Sequence, residues 1–374
     1  MFDSITIPEK VTLKKGRRAC RRQAEELRAA HHLHRQFASF AKDESSESSQ
    51  LQQAQPGQKQ LFNPNELAEK RESLKELSGD SQKSLHRAFK KMDEAGPWRD
   101  VAVAPEPQVL DKLHRDFPNF STVTKLVQQR LVLNRRATEK PLLLPPILLD
   151  GPAGVGKTAY CQRLAGLLDL RFEKVDLSGA GASFTMTGLD AGYSNAHPGR
   201  VWESLQHNSM SALWLLDEVD KVNTESRHSG SDFLLGLLES ESSRRFIDNC
   251  TLLPIDASWL CFIATCNDKS RIDAPLLSRF EVFDIAPPGA EQLTAIVLSI
   301  YGDIRKTEAW GPSFSEELDL SVIEALRAFT PREIRRHLFH AFAIAAEQSR
   351  SCLQASDVRR QWSKGLPCRR IGFI

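Results

Sequence analysis

The stretch Ile147-Leu148-Leu149-Asp150-Gly151-Pro152-Ala153-Gly154-Val155-Gly156-Lys157-Thr158 decides the fold. Its first four residues are an apolar run of strand length, and residues 159–168 after it carry helical spacing. Between them stands G-x-x-x-x-G-K-[ST]. Its glycines let backbone N–H groups turn inward around a phosphate at the positive end of the following helix. Lys157 is then expected to reach the β- and γ-phosphate oxygens, and the Thr158 hydroxyl to ligand Mg2+. All eight residues from Gly151 to Thr158 are candidate contacts for the phosphates of ATP.

Further apolar runs of strand length lie at 172–177, 213–217, 260–265 and 282–285, mostly separated by helical spacing. That alternation predicts an α/β fold, a mainly parallel sheet covered on both faces. Residues 249–256 suggest a short hairpin or an edge excursion. The run ending Leu215-Leu216-Asp217-Glu218 delivers two carboxylates to one strand end. Asp217 there is expected to help hold Mg2+ through water, and Glu218 to act as general base on the attacking water. Asn267, after the run 261–266, offers a neutral group to the γ-phosphate or the attacking water. Arg279 sits between apolar residues just before the last strand, where it would reach a neighbouring subunit's nucleotide as an arginine finger. Arg332 opens a helix that starts at Thr330-Pro331, with Thr330 as N-cap, and would swing onto the nucleotide when the helical region closes. Arg335 and Arg336 read as solvated or interface charges.

Outward from this core, Ile334, Leu338, Ala341, Phe342 and Ala345 trace one helix face. No strand signal follows Pro287-Pro288, so 287–374 reads as an all-helical lid on an α/β domain of 101–286. The first hundred residues read as a basic helical segment over 1–42, a Ser/Gln/Glu-rich flexible linker over 43–60 and a helical region over 61–100. Fifty Lys and Arg against 48 Asp and Glu leave a formal charge of +2, which argues against a polyelectrolyte partner for the whole chain. The seven cysteines form no Cys-x-x-Cys pair, so neither a disulfide framework nor a zinc site is expected, and Cys261 and Cys266 read as core thiols. No apolar run approaches the roughly 20 residues needed to span a bilayer. The opening residues lack a secretory pattern, so a cytoplasmic location without a membrane partner is the expectation.

These elements, in this order, resemble the AAA+ ATPases, and the closer likeness is to the ATPase module of Lon proteases. The likeness rests on Leu215-Leu216-Asp217-Glu218-Val219-Asp220-Lys221, on Ala274-Pro275-Leu276-Leu277-Ser278-Arg279-Phe280-Glu281-Val282, and on Phe246-Ile247-Asp248 followed by Leu253-Pro254-Ile255-Asp256. It covers roughly residues 110–350. It implies a P-loop NTPase with a three-layer parallel-sheet core, a C-terminal helical lid and here a helical N-terminal extension. It also implies ATP and Mg2+ as cofactors, and assembly of this chain with itself into a ring of about six copies. Tyr193, in Gly192-Tyr193-Ser194-Asn195, matches the aromatic pore-loop position that grips a translocating polypeptide, although Ser194 stands where a bulky aliphatic residue is usual.

Lon also carries a serine–lysine peptidase domain after the lid, for which no counterpart is read here. Ser363-Lys364 is an adjacent pair rather than a dyad, so peptidase activity is not expected. The leading expectation is an ATP-driven motor that remodels, unfolds or disassembles a polypeptide client. Two alternatives stand beside it. One is a nucleic-acid-associated ATPase of the clamp-loader or helicase-loader kind, using the basic residues 14–22. The other is a nucleotide-gated scaffold that recruits a separate effector protein.

Overall fold

The computed structural model describes residues 54–73, 80–179, 182–193, 195–222 and 232–359, all within one compact unit. The basic segment 1–42, most of the linker, Ser194 and the Ser363-Lys364 pair lie outside the described residues. The described chain starts with β1 (Gln58–Gln60), helices α1 (Pro64–Ser73) and α2 (Asp80–Ala95), and β2 (Trp98–Asp100), which pairs antiparallel with β1. The end of the expected linker is therefore strand, which corrects that reading for its last three residues. Their partner lies some 40 residues away, with Gln58 opposite Asp100, so no local pattern announces the pairing.

Helix α3 (Ser121–Asn134) leads into the core sheet. There follow β3 (Ile147–Asp150), α4 (Lys157–Leu167), β4 (Arg171–Asp176) and β5 (Ala212–Asp217). Two short strands, β6 (Phe246–Ile247) and β7 (Pro254–Ile255), pair antiparallel, so the hairpin read over 249–256 begins earlier, its first strand lying before Asn249. β8 (Cys261–Cys266) and β9 (Glu281–Asp284) complete the sheet. Its order is β4-β5-β8-β3-β9, with every neighbouring pair parallel.

The near-continuous apolar runs follow from burial on both faces. Trp214 and Leu216 of β5, Phe262 and Ala264 of β8 and Leu148 of β3 enter one buried cluster. Leu213, Leu215, Cys261, Ile263, Ile147 and Leu149 enter the other, which is the period-two alternation of a pleated strand. Leu67, Leu85, Phe89 and Met92 belong to the first cluster, so the 61–100 helices share their core with the sheet. The second cluster holds Phe120 and Val127 of the α3 region and Tyr160 and Leu164 of α4.

After β9 come α5 (Ala290–Thr307), α6 (Leu320–Leu326), α7 (Pro331–Glu347) and α8 (Ala355–Arg359), with no strand among the described residues beyond Asp284. They close around their own core, where Tyr301 stacks on Phe342 at 5.3 Å and Ile334, Leu338, Ala341 and Ala345 are buried. The predicted face of α7 is thus the one that packs. Its start is a capping box. The Thr330 Oγ1 accepts from the Glu333 N–H, and Glu333 Oε2 accepts from the Thr330 N–H at 2.9 Å. Among the described residues no helix is long and apolar enough to cross a membrane.

Candidate active site

The loop between β3 and α4 is shaped by glycine. Gly154 has φ +87° and Gly156, the N-cap of α4, has φ +105°, backbone that L side chains rarely adopt. A Cβ on Gly154 would sit 3.4 Å from Thr330 Oγ1, so the loop passes directly beneath the start of α7. Lys157 folds back over the loop. Its Nζ donates to the carbonyls of Gly151, Pro152 (3.3 Å) and Cys266 (2.9 Å) and to Asn267 Oδ1 (3.3 Å). Burial pushes the Lys157 pKa down, while surrounding acids, Asp150 and Asp217 among them, pull it up.

At the tip of β5, Asp217 Oδ1 accepts from the Thr265 hydroxyl at 2.5 Å and Oδ2 meets Lys174 Nζ at 2.7 Å. Glu218, immediately after, has φ +60° and ψ +45°. For an L residue this left-handed backbone costs about 1–2 kcal/mol, strain of the kind functional sites retain. It sends the chain into a tight turn, and Glu218 Oε2 rests 2.6 Å from Lys221 Nζ. Buried Asp220, on the same turn, accepts the Asn267 N–H at 3.2 Å. The ends of β5 and β8 are therefore tied to each other by side chains.

Lys157, Thr158, Asp217, Glu218 and Asn267 all line one cavity of about 360 Å³, a size usual for small-molecule sites. Two further walls close it. One is the segment with Phe117 and Asn119, held by the Phe120–Tyr160 stack at 4.5 Å and by Phe117 edge-on to Tyr160 at 5.7 Å. The other is the lid, through Ile296 and Ile300 of α5 and Arg332 and Arg335 of α7. Arg335, expected as a solvated or interface charge, is exposed and also lines the cavity, one helical turn from Arg332.

The group implied for this site fits the residues present. The glycine backbone leaves room for an anion at the start of α4, and Lys157 supplies the counter-charge. The Thr158 hydroxyl and Asp217 carboxylate are the hard oxygen donors that Mg2+ takes. Phe117, Ile296 and Ile300 offer apolar surface for a base. Elsewhere among the described residues no cluster of three or more His, Cys, Asp or Glu side chains is arranged to hold a metal.

Two expected site residues stand apart from this cavity. Arg279 is exposed, its Nη2 3.5 Å from Glu239 Oε1. Tyr193 is 61% exposed on the loop between Gly188 and Gly199. That loop is pinned at its stem. Fully buried Asp248 accepts from the Gly199 N–H (2.6 Å) and from the Cys250 and Thr251 N–H groups (3.0 Å each). Asn249 meanwhile donates through its backbone to the Thr187 carbonyl at 2.7 Å and through its side chain to Thr187 Oγ1 at 2.8 Å.

Sequence reasoning missed Lys174, Thr265, Phe117, Asn119, Ile296 and Ile300. Thr265 left a trace, a polar residue inside an apolar run. The others are contributed by distant segments and carry no local signature.

Comparison with known proteins finds the following likenesses. Residues 147–287 match the family described as "ATPase family associated with various cellular activities (AAA)". A Lon protease of Bacillus thuringiensis is 30% identical over 249 residues, 59% of this chain and 31% of the relative. A peroxisomal Lon protease homolog 2 of Caenorhabditis briggsae is 30% identical over 196 residues, 51% of this chain and 25% of the relative. The chain thus spans no more than about a third of the length of these curated relatives. Among solved structures, the RuvB Holliday junction branch migration motor of Thermotoga maritima matches with a TM-score of 0.42. Its sequence identity is 15%, over 64% of this chain and 66% of that one.

Proposed function

We infer that residues 147–287, which match the AAA family of ATPases, form an ATPase domain similar to the ATPase module of Lon proteases. From that premise we propose that the protein binds ATP with Mg2+ and hydrolyses it, in a ring of its own copies, to pull or rearrange a polypeptide. The observation that carries the reading is the gathering of the glycine cradle, Lys157, Asp217, Glu218 and Asn267 around one cavity that Arg332 overhangs.

The loop from Gly151 to Thr158 wraps the phosphates with its N–H groups, and Lys157 turns from its carbonyl partners onto them. Thr158, and Asp217 through water, hold Mg2+, which when bound supplies charge neutralisation to the transferring phosphoryl group. Glu218, leaving Lys221, takes the proton of the attacking water, and Asn267 orients that water without adding negative charge. Arg279 is exposed and remote from its own cavity, the placement a finger needs to serve a neighbouring subunit. Arg332, joined here by Arg335, links nucleotide occupancy to the lid. Tyr193 lies at the tip of a stem-fixed loop, as a side chain that grips a passing chain must. No peptidase role is part of this reading.

The test is steady-state ATP hydrolysis by the full chain, alone and with an unfolded protein, for wild type and Glu218→Gln. The expected outcome is hydrolysis stimulated by the unfolded protein, with Glu218→Gln still binding nucleotide but turning over about 10²–10⁴-fold more slowly. Equal turnover in the two proteins would sink the assignment of the base. Stimulation by duplex DNA alone would transfer the client from polypeptide to nucleic acid.

A further inference from the structure

Thr265 is 1% exposed, a hydroxyl deep in β8 among apolar neighbours. Its oxygen makes two bonds at once. It donates to Asp217 Oδ1 at 2.5 Å and accepts the backbone N–H of Glu218 at 3.3 Å. A hydroxyl has one donor and two acceptor positions, so serine and threonine alone among small side chains can serve both neighbours in this way. Asp217 is otherwise held from the opposite side, by Lys174 on the edge strand β4. Glu218 is the residue in left-handed backbone, and its amide is what the Thr265 oxygen takes. The next residue along β8 but one, Asn267, is tied back to the same turn through Asp220.

We propose that Thr265 is a positioning residue for the ATPase reaction, fixing the Asp217 carboxylate for the metal and the Glu218 turn for proton abstraction through a single hydroxyl. This rests on the reading of the cavity as an ATP-hydrolysing site. Threonine suits the role because β-branching limits χ1, and its methyl fills the packed strand while the hydroxyl is held at the two acids. Without the hydroxyl, Asp217 keeps, among the described residues, its Lys174 partner, which draws it toward β4. The Glu218 amide then loses the acceptor that supports its backbone conformation. Phosphate binding by the loop uses neither group, so binding of nucleotide without metal is left intact.

The experiment compares wild type, Thr265→Val and Thr265→Ser as full chains. It reads affinity for a fluorescent ATP analogue with and without Mg2+, kcat and KM for ATP, and the melting temperature. Valine preserves shape without the hydroxyl, and serine restores the hydroxyl without the methyl. For Thr265→Val the metal-free affinity is expected within about twofold of wild type, the Mg2+-induced tightening reduced about fivefold or more, and kcat lowered about 10–100-fold, with KM for ATP in the presence of Mg2+ raised by about the lost tightening. Thr265→Ser is expected to recover kcat to within about threefold. A wild-type Mg2+ response and kcat in Thr265→Val overturn the proposal. So does equal impairment of valine and serine variants, which would assign the effect to packing. Should Thr265→Val fail to fold, Thr265→Ser decides alone: near-wild-type Mg2+ response and kcat support the hydroxyl, and their loss refutes it. If wild type binds nucleotide but does not hydrolyse it, the ATPase reading fails while the Mg2+ response still decides whether Thr265 orients Asp217. If wild type binds no nucleotide, both fall together.

Discussion

Replacing Asp248 by alanine should be costly, because the loop at Gly199 and the turn that follows Asp248 itself both donate backbone N–H groups to one buried carboxylate. Its two oxygens accept backbone N–H groups from Gly199, Cys250 and Thr251. Each buried donor stranded without an acceptor costs about 1–3 kcal/mol. Removing the carboxylate also relieves its own burial, which holds its pKa above the usual 3.8 despite the donors around it. The balance for breaking such a buried arrangement is about 3–5 kcal/mol. At about 2–4 °C per kcal/mol for chains somewhat shorter than this one, the melting temperature should fall by about 6–20 °C.

Asp248→Asn should cost about half as much. Its carbonyl can keep the Cys250 and Thr251 donors, but its amide then faces the Gly199 N–H. A raised folded pKa means the Asp248 contribution is full below 3.8 and is lost as pH rises through the folded value. The margin of wild type over Asp248→Asn should accordingly be larger near pH 4.5 than at pH 7. Calorimetric melts at both pH values read these quantities. A melting temperature for Asp248→Ala within about 2 °C of wild type would refute the hydrogen-bond accounting.

Three further expectations follow from particular geometries. Lys157→Ala removes the counter-charge in the glycine cradle, so the stabilisation that ATP confers on wild type, about 2.7 kcal/mol at 100 times its Kd, should vanish in thermal melts with nucleotide. Gly156→Ala should cost about 1–2 kcal/mol through backbone strain alone, since a Cβ there meets nothing nearer than 3.9 Å. Urea melts measure it, and a neutral result would deny the left-handed cap. The Thr330 backbone N–H and then its hydroxyl hold the Glu333 pKa below the usual 4.5, so the capping box is fully stabilising above that value and loosens as pH falls through the folded one. Carboxyl NMR titration should place the Glu333 midpoint below 4.5, and Thr330→Val should return it toward that value.

What was legible in the sequence was what short spacing encodes. The glycine loop, its Lys157-Thr158 ending and the strand before it are contiguous, and backbone N–H geometry at a helix start depends on little else. The apolar runs marked the sheet strands to within a residue; the central β3, β5 and β8 are apolar because both of their faces are buried, while the edge strands β4 and β9 are partly exposed and carry charged residues. Thr330-Pro331 announced the start of α7 for the same local reason.

Only tertiary structure decided which distant groups meet. It paired residues 58–60 with 98–100, set Phe117 and Asn119 against the cavity, and gave Arg335 a place beside Arg332. It also put Lys174 and Thr265 on the two oxygens of Asp217. Contacts of this kind depend on strand order and on how helices cross the sheet. Parallel strands joined by crossovers bring together residues far apart in the chain, as Asp217 and Thr265 are, and no window along the sequence contains both. The glycine loop and its Lys157-Thr158 ending were therefore written along the chain, while the arrangement of Asp217, Glu218 and Asn267 around that loop came from the sheet that brings their strands together.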